Sequence, residues 1–201
     1  GQQEIPERIA YAREPHRLPL VLSADEVVRF REAVPGLRNR AALTTAYAAG
    51  RRVSEVVALK IADIDSGRML IRVEQGKGRK DRYVMLSSTL LDTLRTYWKA
   101  FRPVRWLFEG QAKGQPLSAS TAEKVFTTAA GRAGIRKGVS FHSLRHAFAT
   151  HLLEGGTNIR VIQALLGHQC LTTTQVYTHV ARTYVNATTS PLDRLKEKKE
   201  E

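Results

Sequence analysis

"SFHSLRHAFATHLLEGG", residues 140–156, decides how the second half of the chain is read. Laid out at 100° per residue, Leu144, Ala147, Phe148 and Leu152 fall on one stripe, which predicts a helix with that stripe against a core. His142, Arg145, His146 and Ala149 fall on the other side. Gly155 and Gly156 then end the helix, as glycines do where a chain must leave helical geometry. A histidine and an arginine three apart on such a face could grip an anion, because guanidinium is a permanently charged planar fork. Taken alone, an HxxR pair reads as a solvated helix face. A metal site is weaker still, since His142 and His146 lack the glutamate of HExxH and have an arginine between them.

Outward from this helix the pattern stays helical towards the C-terminus. "TNIRVIQALLG" (157–167) and "TTTQVYTHV" (172–180) are apolar-periodic, started by Thr and separated by Gly. On the N-terminal side, "VLSADEVVRF" (21–30) opens a helix with a Ser23/Glu26 capping box. "LRNRAALTTAYAAG" (37–50) reads as a helix stopped by Gly50, and "SEVVALK" (54–60) as a short one. The period then drops to two: "RMLIRVEQ" (68–75) and "DRYVMLS" (81–87) flank the glycine-containing "GKGRK" and predict a β-hairpin. Helices are expected again at "TLLDTLRTYWKAF" (89–101) and "ASTAEKVFTTAAGRAGI" (119–135), with a loop between them carrying a short strand at "WLF". Tyr47, Tyr83 and Tyr97 are expected in element interiors, and Tyr184 as a packing residue. The fold class is α+β: one mostly helical domain over residues 20–181 with a small antiparallel sheet in its first half. Residues 1–19, dotted with Pro6, Pro15 and Pro19, read as an arm or linker, and 182–201 as a charged tail.

Composition narrows the partner. The chain carries 32 Lys+Arg against 19 Asp+Glu, a net charge of +13, which suits a polyanion such as nucleic acid. Its single cysteine, Cys170, excludes an internal disulfide and fits a reducing compartment. No apolar run approaches membrane-span length, and the N-terminus has no signal-peptide core. A cytoplasmic protein acting on nucleoid DNA, with no membrane partner, is expected.

Three further stretches hold residues able to bind or transform a phosphate. In "GRRVSE" (50–55), Arg51 and Arg52 follow a helix-ending glycine where a short helix begins, an arrangement suited to an anion. In "GKGRKDR" (76–82), Lys77 stands between glycines that allow close approach, and lysine can deliver a proton as well as charge. In "LLGH" (165–168), His168 follows the Gly167 cap. Each is weak in isolation, where surface charge or a capping histidine suffices as explanation.

In this order and spacing, Arg52, Lys77, His142-x-x-Arg145, His168 and Tyr177 resemble the catalytic constellation of the tyrosine recombinases, the phage-integrase superfamily. The phrasing is similar to bacterial chromosome-dimer-resolving and integron-type integrases, and the matching segments extend over residues 50–180. The family usually has an apolar residue where this chain has Arg51, so the catalytic role is assigned to Arg52, immediately before "VSE". Arg51, Arg79, Lys80 and Arg82 are assigned to the DNA backbone, and Glu55 to supporting the arginine or histidine.

The resemblance implies that Tyr177 attacks a DNA phosphodiester and forms a 3′-phosphotyrosyl link with a free 5′ hydroxyl, without metal or other cofactor. Arg52 and Arg145 would hold the non-bridging oxygens, His142 would act as base or relay for the phenol, His168 would orient the phosphate, and Lys77 would protonate the leaving oxygen. Double-stranded DNA and further protomers, a tetramer on synapsed DNA, are the implied partners. The N-terminal helical domain that usually closes around DNA is expected to be absent here, and the tail to dock on a neighbour. A type IB topoisomerase-like enzyme and an inactive DNA-binding relative remain the alternatives.

Overall fold

The computed structural model of the chain describes residues 19–74, 81–112, 114–168, 170–175 and 177–178. Its elements run α1 (Ala24–Ala33), α2 (Leu37–Ala48), α3 (Val53–Val57), a 3₁₀ turn (Ile61–Asp63), β1 (Ile64–Asp65), β2 (Leu70–Val73), β3 (Arg82–Met85), α4 (Ser88–Phe101), α5 (Ala119–Arg132), α6 (His142–Glu154), α7 (Ile159–Leu166) and α8 (Thr172–Gln175). The expected arm (1–18 of it) and nearly all of the tail lie outside the described residues, as does the tip of the hairpin.

The centre of the domain is α2, which packs on α1, α3, α4, α5 and α6. Six consecutive residues from Ala41 to Ala46 are buried, so this helix is enclosed on all sides. Its alanines let neighbours approach closely, and Thr45 returns its hydroxyl to the Ala41 carbonyl at 2.8 Å, which satisfies it inside the core. The capping box of α1 forms as the sequence predicts: Ser23 Oγ accepts from Glu26 N, and the Glu26 carboxylate accepts from Ser23 N.

The sheet is antiparallel in the order β1-β2-β3, with Ile71 opposite Val84 and Arg72 opposite Tyr83. Ile71, Val73 and Val84 point into the core. The period of two therefore turns Tyr83 outward, where it is 58% exposed, against the expectation of an interior tyrosine. Tyr97 is buried, and Tyr47 is half-buried with its hydroxyl 2.9 Å from His151 Nδ1. The strand expected at "WLF" reduces to isolated bridges, Lys60 with Trp106 and Glu109 with Pro116, while β1 was not anticipated at two residues long.

The two-faced picture of α6 also needs correction. Leu144, Ala147 and Phe148 are buried as expected, but so are Arg145 and Ala149 on the supposed polar side. The helix is a second central element, with α2 on one side and α7 on the other. One contact fixes its position. Gly50 turns with φ +58°, and a Cβ built there would lie 2.3 Å from Phe148 Cδ1, so the ring of α6 occupies the space a side chain would need. Gly50→Ala is expected to cost about 2–4 kcal/mol, combining a left-handed backbone with an overpacked core. Urea unfolding of the variant measures it, and an unchanged midpoint would show that Phe148 moves freely.

Beyond α6 a smaller apolar cluster forms from Phe148, Ala149, Leu153, Ile162, Leu166 and Tyr177. It is built on α7, which starts at Asn158, whose side chain accepts from Arg160 N, and ends at Gly167 in the left-handed region, φ +66°. That turn delivers His168 back towards α6.

Candidate active site

Four segments converge: the turn from Gly50 into α3, the N-terminal half of α6, the end of α7, and α8 with the turn after it. Arg52 stands at the start of α3 and lines a pocket of about 470 Å³ with Val53, Ser54, Ser140, Phe141 and His142; Glu123 and Thr127 close its far side. Arg52 also donates to Glu55 Oε1 at 3.0 Å, and its backbone N–H reaches Glu55 Oε2 at 3.2 Å. Glu55 accepts in addition two bonds from Arg82 Nη2, at 3.1 and 2.9 Å. Burial alone would push the Glu55 carboxyl up, but the hydrogen bonds and charge of Arg82, with help from the Arg52 N–H and from Arg51, hold it below the usual carboxylate range.

Arg145 is fully buried. Its Nη1 donates to the Gly50 carbonyl at 2.8 Å and its Nη2 to the Leu166 carbonyl at 2.6 Å, while its buried Nε has no partner among the described residues. Gly50 lies two residues before Arg52, and Leu166 two residues before His168. One guanidinium therefore ties together the two turns that carry the other members of the set. Burial, and after it the charge of Arg52, lowers its pKa to about 10, so it remains a cation at neutral pH.

Tyr177 is 2% exposed, its ring within the small apolar cluster. Its hydroxyl lies 3.1 Å from His146 Nδ1. The His168 ring lies parallel to it, 6.5 Å away and tilted by 12°, and His168 Nδ1 is 2.9 Å from Thr174 Oγ1. Burial raises the Tyr177 pKa, and the positive fields of Arg145 and Arg52 work against that rise. His146 and His168 are each lowered to about 4, chiefly by burial, so both are neutral imidazoles at physiological pH.

The sequence-assigned residues are thus brought together unequally. Arg52, His142, Arg145, His168 and Tyr177 share one region, whereas Lys77, Arg79 and Lys80 lie outside the described residues. His142 opens onto the pocket but no hydrogen bond joins it to Tyr177; the residue at the phenol hydroxyl is His146, with the His142 ring edge-on at 4.6 Å. The helical wheel had put His146 on the right face without giving it work.

The two other arginines assigned to the DNA backbone are used inside the domain. Arg51, 3% exposed, donates to the carbonyls of Glu55 and Arg72. Arg82 spans Glu55 and the Leu165 carbonyl, with its stem packed on Gly167. The Gly50 turn sends consecutive arginines to opposite sides, Arg51 under α3 and Arg52 into the pocket. Arg82 begins a strand whose inward side faces α7.

The model of the phage integrase family matches residues 21–183. The chain belongs to the phage integrase family. It is 51% identical over 183 residues to the "Putative integrase/recombinase y4qK" of Sinorhizobium fredii, covering 91% of this chain and 59% of that protein. The tyrosine recombinase XerD of Mycobacterium tuberculosis is 43% identical over 181 residues, 82% of this chain and 58% of XerD. Among solved structures, the XerA recombinase superposes with a TM-score of 0.76 at 33% identity, over 87% of this chain and 64% of that one. This chain therefore spans about three fifths of the length of these curated relatives. The mostly helical domain with a small antiparallel sheet is the catalytic-domain fold of tyrosine recombinases, and no described helix is long and apolar enough to cross a membrane.

Proposed function

We propose that this chain carries the chemistry of a site-specific DNA recombinase, cleaving and rejoining DNA through a phosphotyrosyl intermediate. The observation that carries the reading is the convergence of Arg52, from the start of α3, His142 and Arg145, from α6, and His168, from the end of α7, around one tyrosine, Tyr177. The relatives named above are integrases and recombinases, which favours strand exchange over topoisomerase-like relaxation or an inactive DNA-binding role.

A solved complex of the XerH recombinase with its palindromic difH substrate, post-cleavage, resembles this chain at 28% identity and a TM-score of 0.76 over 85% of its length. It supports double-stranded DNA as substrate here, with further protomers completing the assembly. The net charge of +13 suits that partner, and the cytoplasm with its nucleoid DNA is where it works.

In the proposed reaction the Tyr177 oxygen forms a bond to phosphorus as the bond from phosphorus to the 5′ oxygen breaks. Arg52 and Arg145 stabilise the charge that builds on the non-bridging oxygens. Lys77 gives its proton to the departing oxygen, and His168 holds the phosphate in line. Because Tyr177 is covered, its hydroxyl must become accessible as DNA enters. Residues after about 182 then dock on a neighbouring protomer.

The test is the chemistry of the ends. Short nicked duplexes of randomised sequence, incubated with the protein and selected for denaturant-resistant adducts, should yield strands whose free 5′ ends accept label from a kinase without prior phosphatase. Adducts carrying 5′-linked protein, or none at all, would contradict the reading. On the recovered sequence, a bridging 5′ sulfur makes a leaving group that scarcely needs a proton. Lys77→Ala should then recover most of its loss on that substrate, while Arg52→Ala stays defective. Equal defects on both substrates would exclude Lys77 as the acid.

A further inference from the structure

Deprotonating a phenol requires an acceptor within hydrogen-bond reach of its oxygen. Among the described residues the Tyr177 hydroxyl is hydrogen-bonded to His146 Nδ1 at 3.1 Å. His146 follows Arg145 directly on α6, so its backbone is fixed by the same two carbonyl bonds that anchor that arginine. Its ring stands edge-on to that of His142, centroids 4.6 Å apart at 82°, and meets the Tyr177 ring at 5.7 Å. The imidazole thus contacts both the residue facing the pocket and the nucleophile. We propose that His146 is a catalytic residue, the group that receives the proton of Tyr177 as its oxygen attacks phosphorus. This rests on the recombinase reading above.

The step balances. The oxygen–phosphorus bond forms, the bond to the 5′ oxygen breaks, the phenol proton passes to His146 Nδ1, and the 5′ oxygen takes a proton from Lys77. Rejoining runs the same path backwards, with the His146 imidazolium returning its proton to the tyrosine oxygen as the phosphotyrosyl link breaks.

Electrostatics fits a receiver that is ready but weak in the absence of DNA. Burial first, and after it His142 and Arg145, keep His146 uncharged at neutral pH, so Nδ1 is free to accept. The imidazolium that forms would stand beside a phosphate whose negative charge offsets Arg145, which favours it only once substrate is present. His142, by contrast, is exposed to the pocket and has no bond to the phenol.

Chemical rescue tests this. On the duplex sequence recovered by adduct selection, under single-turnover conditions, His146→Ala should lower cleavage by roughly a hundredfold or more, as loss of a positioned base does. Added imidazole should restore it in proportion to its concentration. His146→Asn, which keeps a polar atom near the Nδ1 position but cannot take a proton at neutral pH, should stay as defective as His146→Ala and should unfold at the wild-type temperature. The proposal is overturned if His146→Asn cleaves within about threefold of wild type, since His146 then only positions the phenol. It is also overturned if imidazole restores His142→Ala but not His146→Ala. A wild-type protein that forms no adduct defeats the recombinase reading itself, a separate outcome.

Discussion

Arg145→Ala is expected to lose both cleavage and a large part of the domain's stability, and the two losses have separate origins. The stability loss follows from the guanidinium's place between the Gly50 and Leu166 carbonyls, in a fully buried position. Truncation leaves two buried acceptors unsatisfied at about 1–3 kcal/mol each, and opens a cavity as well, so roughly 3–5 kcal/mol is expected. The cleavage loss follows from the clamp. Removing one preorganised donor to a developing oxyanion costs about 10²–10³ in rate, and here the turns carrying Arg52 and His168 loosen at the same time.

Arg52→Ala separates the two effects. Its side chain is 28% exposed, and Glu55 would still be held by Arg82, so stability should change by less than about 1 kcal/mol while cleavage falls as steeply. Urea unfolding read beside single-turnover cleavage distinguishes them. If Arg145→Ala unfolds like wild type, the two carbonyl bonds do not brace the site.

Tyr177→Phe should give the opposite pairing. The ring stays in the cluster of Phe148, Ala149, Leu153, Ile162 and Leu166, and only the bond to His146 is lost, worth about 1 kcal/mol. Cleavage should fall by at least about 10⁴-fold, because the atom lost is the one that forms the bond to phosphorus. A variant that folds as well as wild type and forms no adduct isolates the hydroxyl from the packing role that a buried tyrosine otherwise fills. Thermal unfolding and adduct formation, measured on one preparation, carry both halves of the comparison.

Much of the fold was readable from local pattern. The α1 capping box, the alternation in β2 and the glycine-ended α7 are set by interactions within a few residues, and each forms where the pattern put it. What pattern could not supply was how many sides of a helix are covered. The wheel of α6 separates apolar from polar residues, yet Arg145 is buried because Gly50 and Leu166, far away in sequence, offer it carbonyls. The same limit explains Arg51 and Arg82. A basic residue beside a glycine-rich loop reads as a phosphate contact until a carboxylate from another segment, here Glu55, or the backbone of a distant strand is seen to take it.

The candidate constellation was named from its resemblance to a family pattern, and Arg52, His142, Arg145, His168 and Tyr177 of it lie in one region, with Lys77 outside the described residues. His146 was not singled out, since its partner is 31 positions away and nothing local marks it as different from any histidine on a polar face. An i+4 repeat from His142 was the one available hint.

The most direct test of the account is to locate the covalent bond. Adducts trapped on nicked duplexes by the wild-type protein, digested with protease and nuclease, should yield a single nucleotide-bearing peptide with the modification on Tyr177. A modification on Tyr47, Tyr184 or any other side chain, or an adduct that persists in Tyr177→Phe, would contradict it.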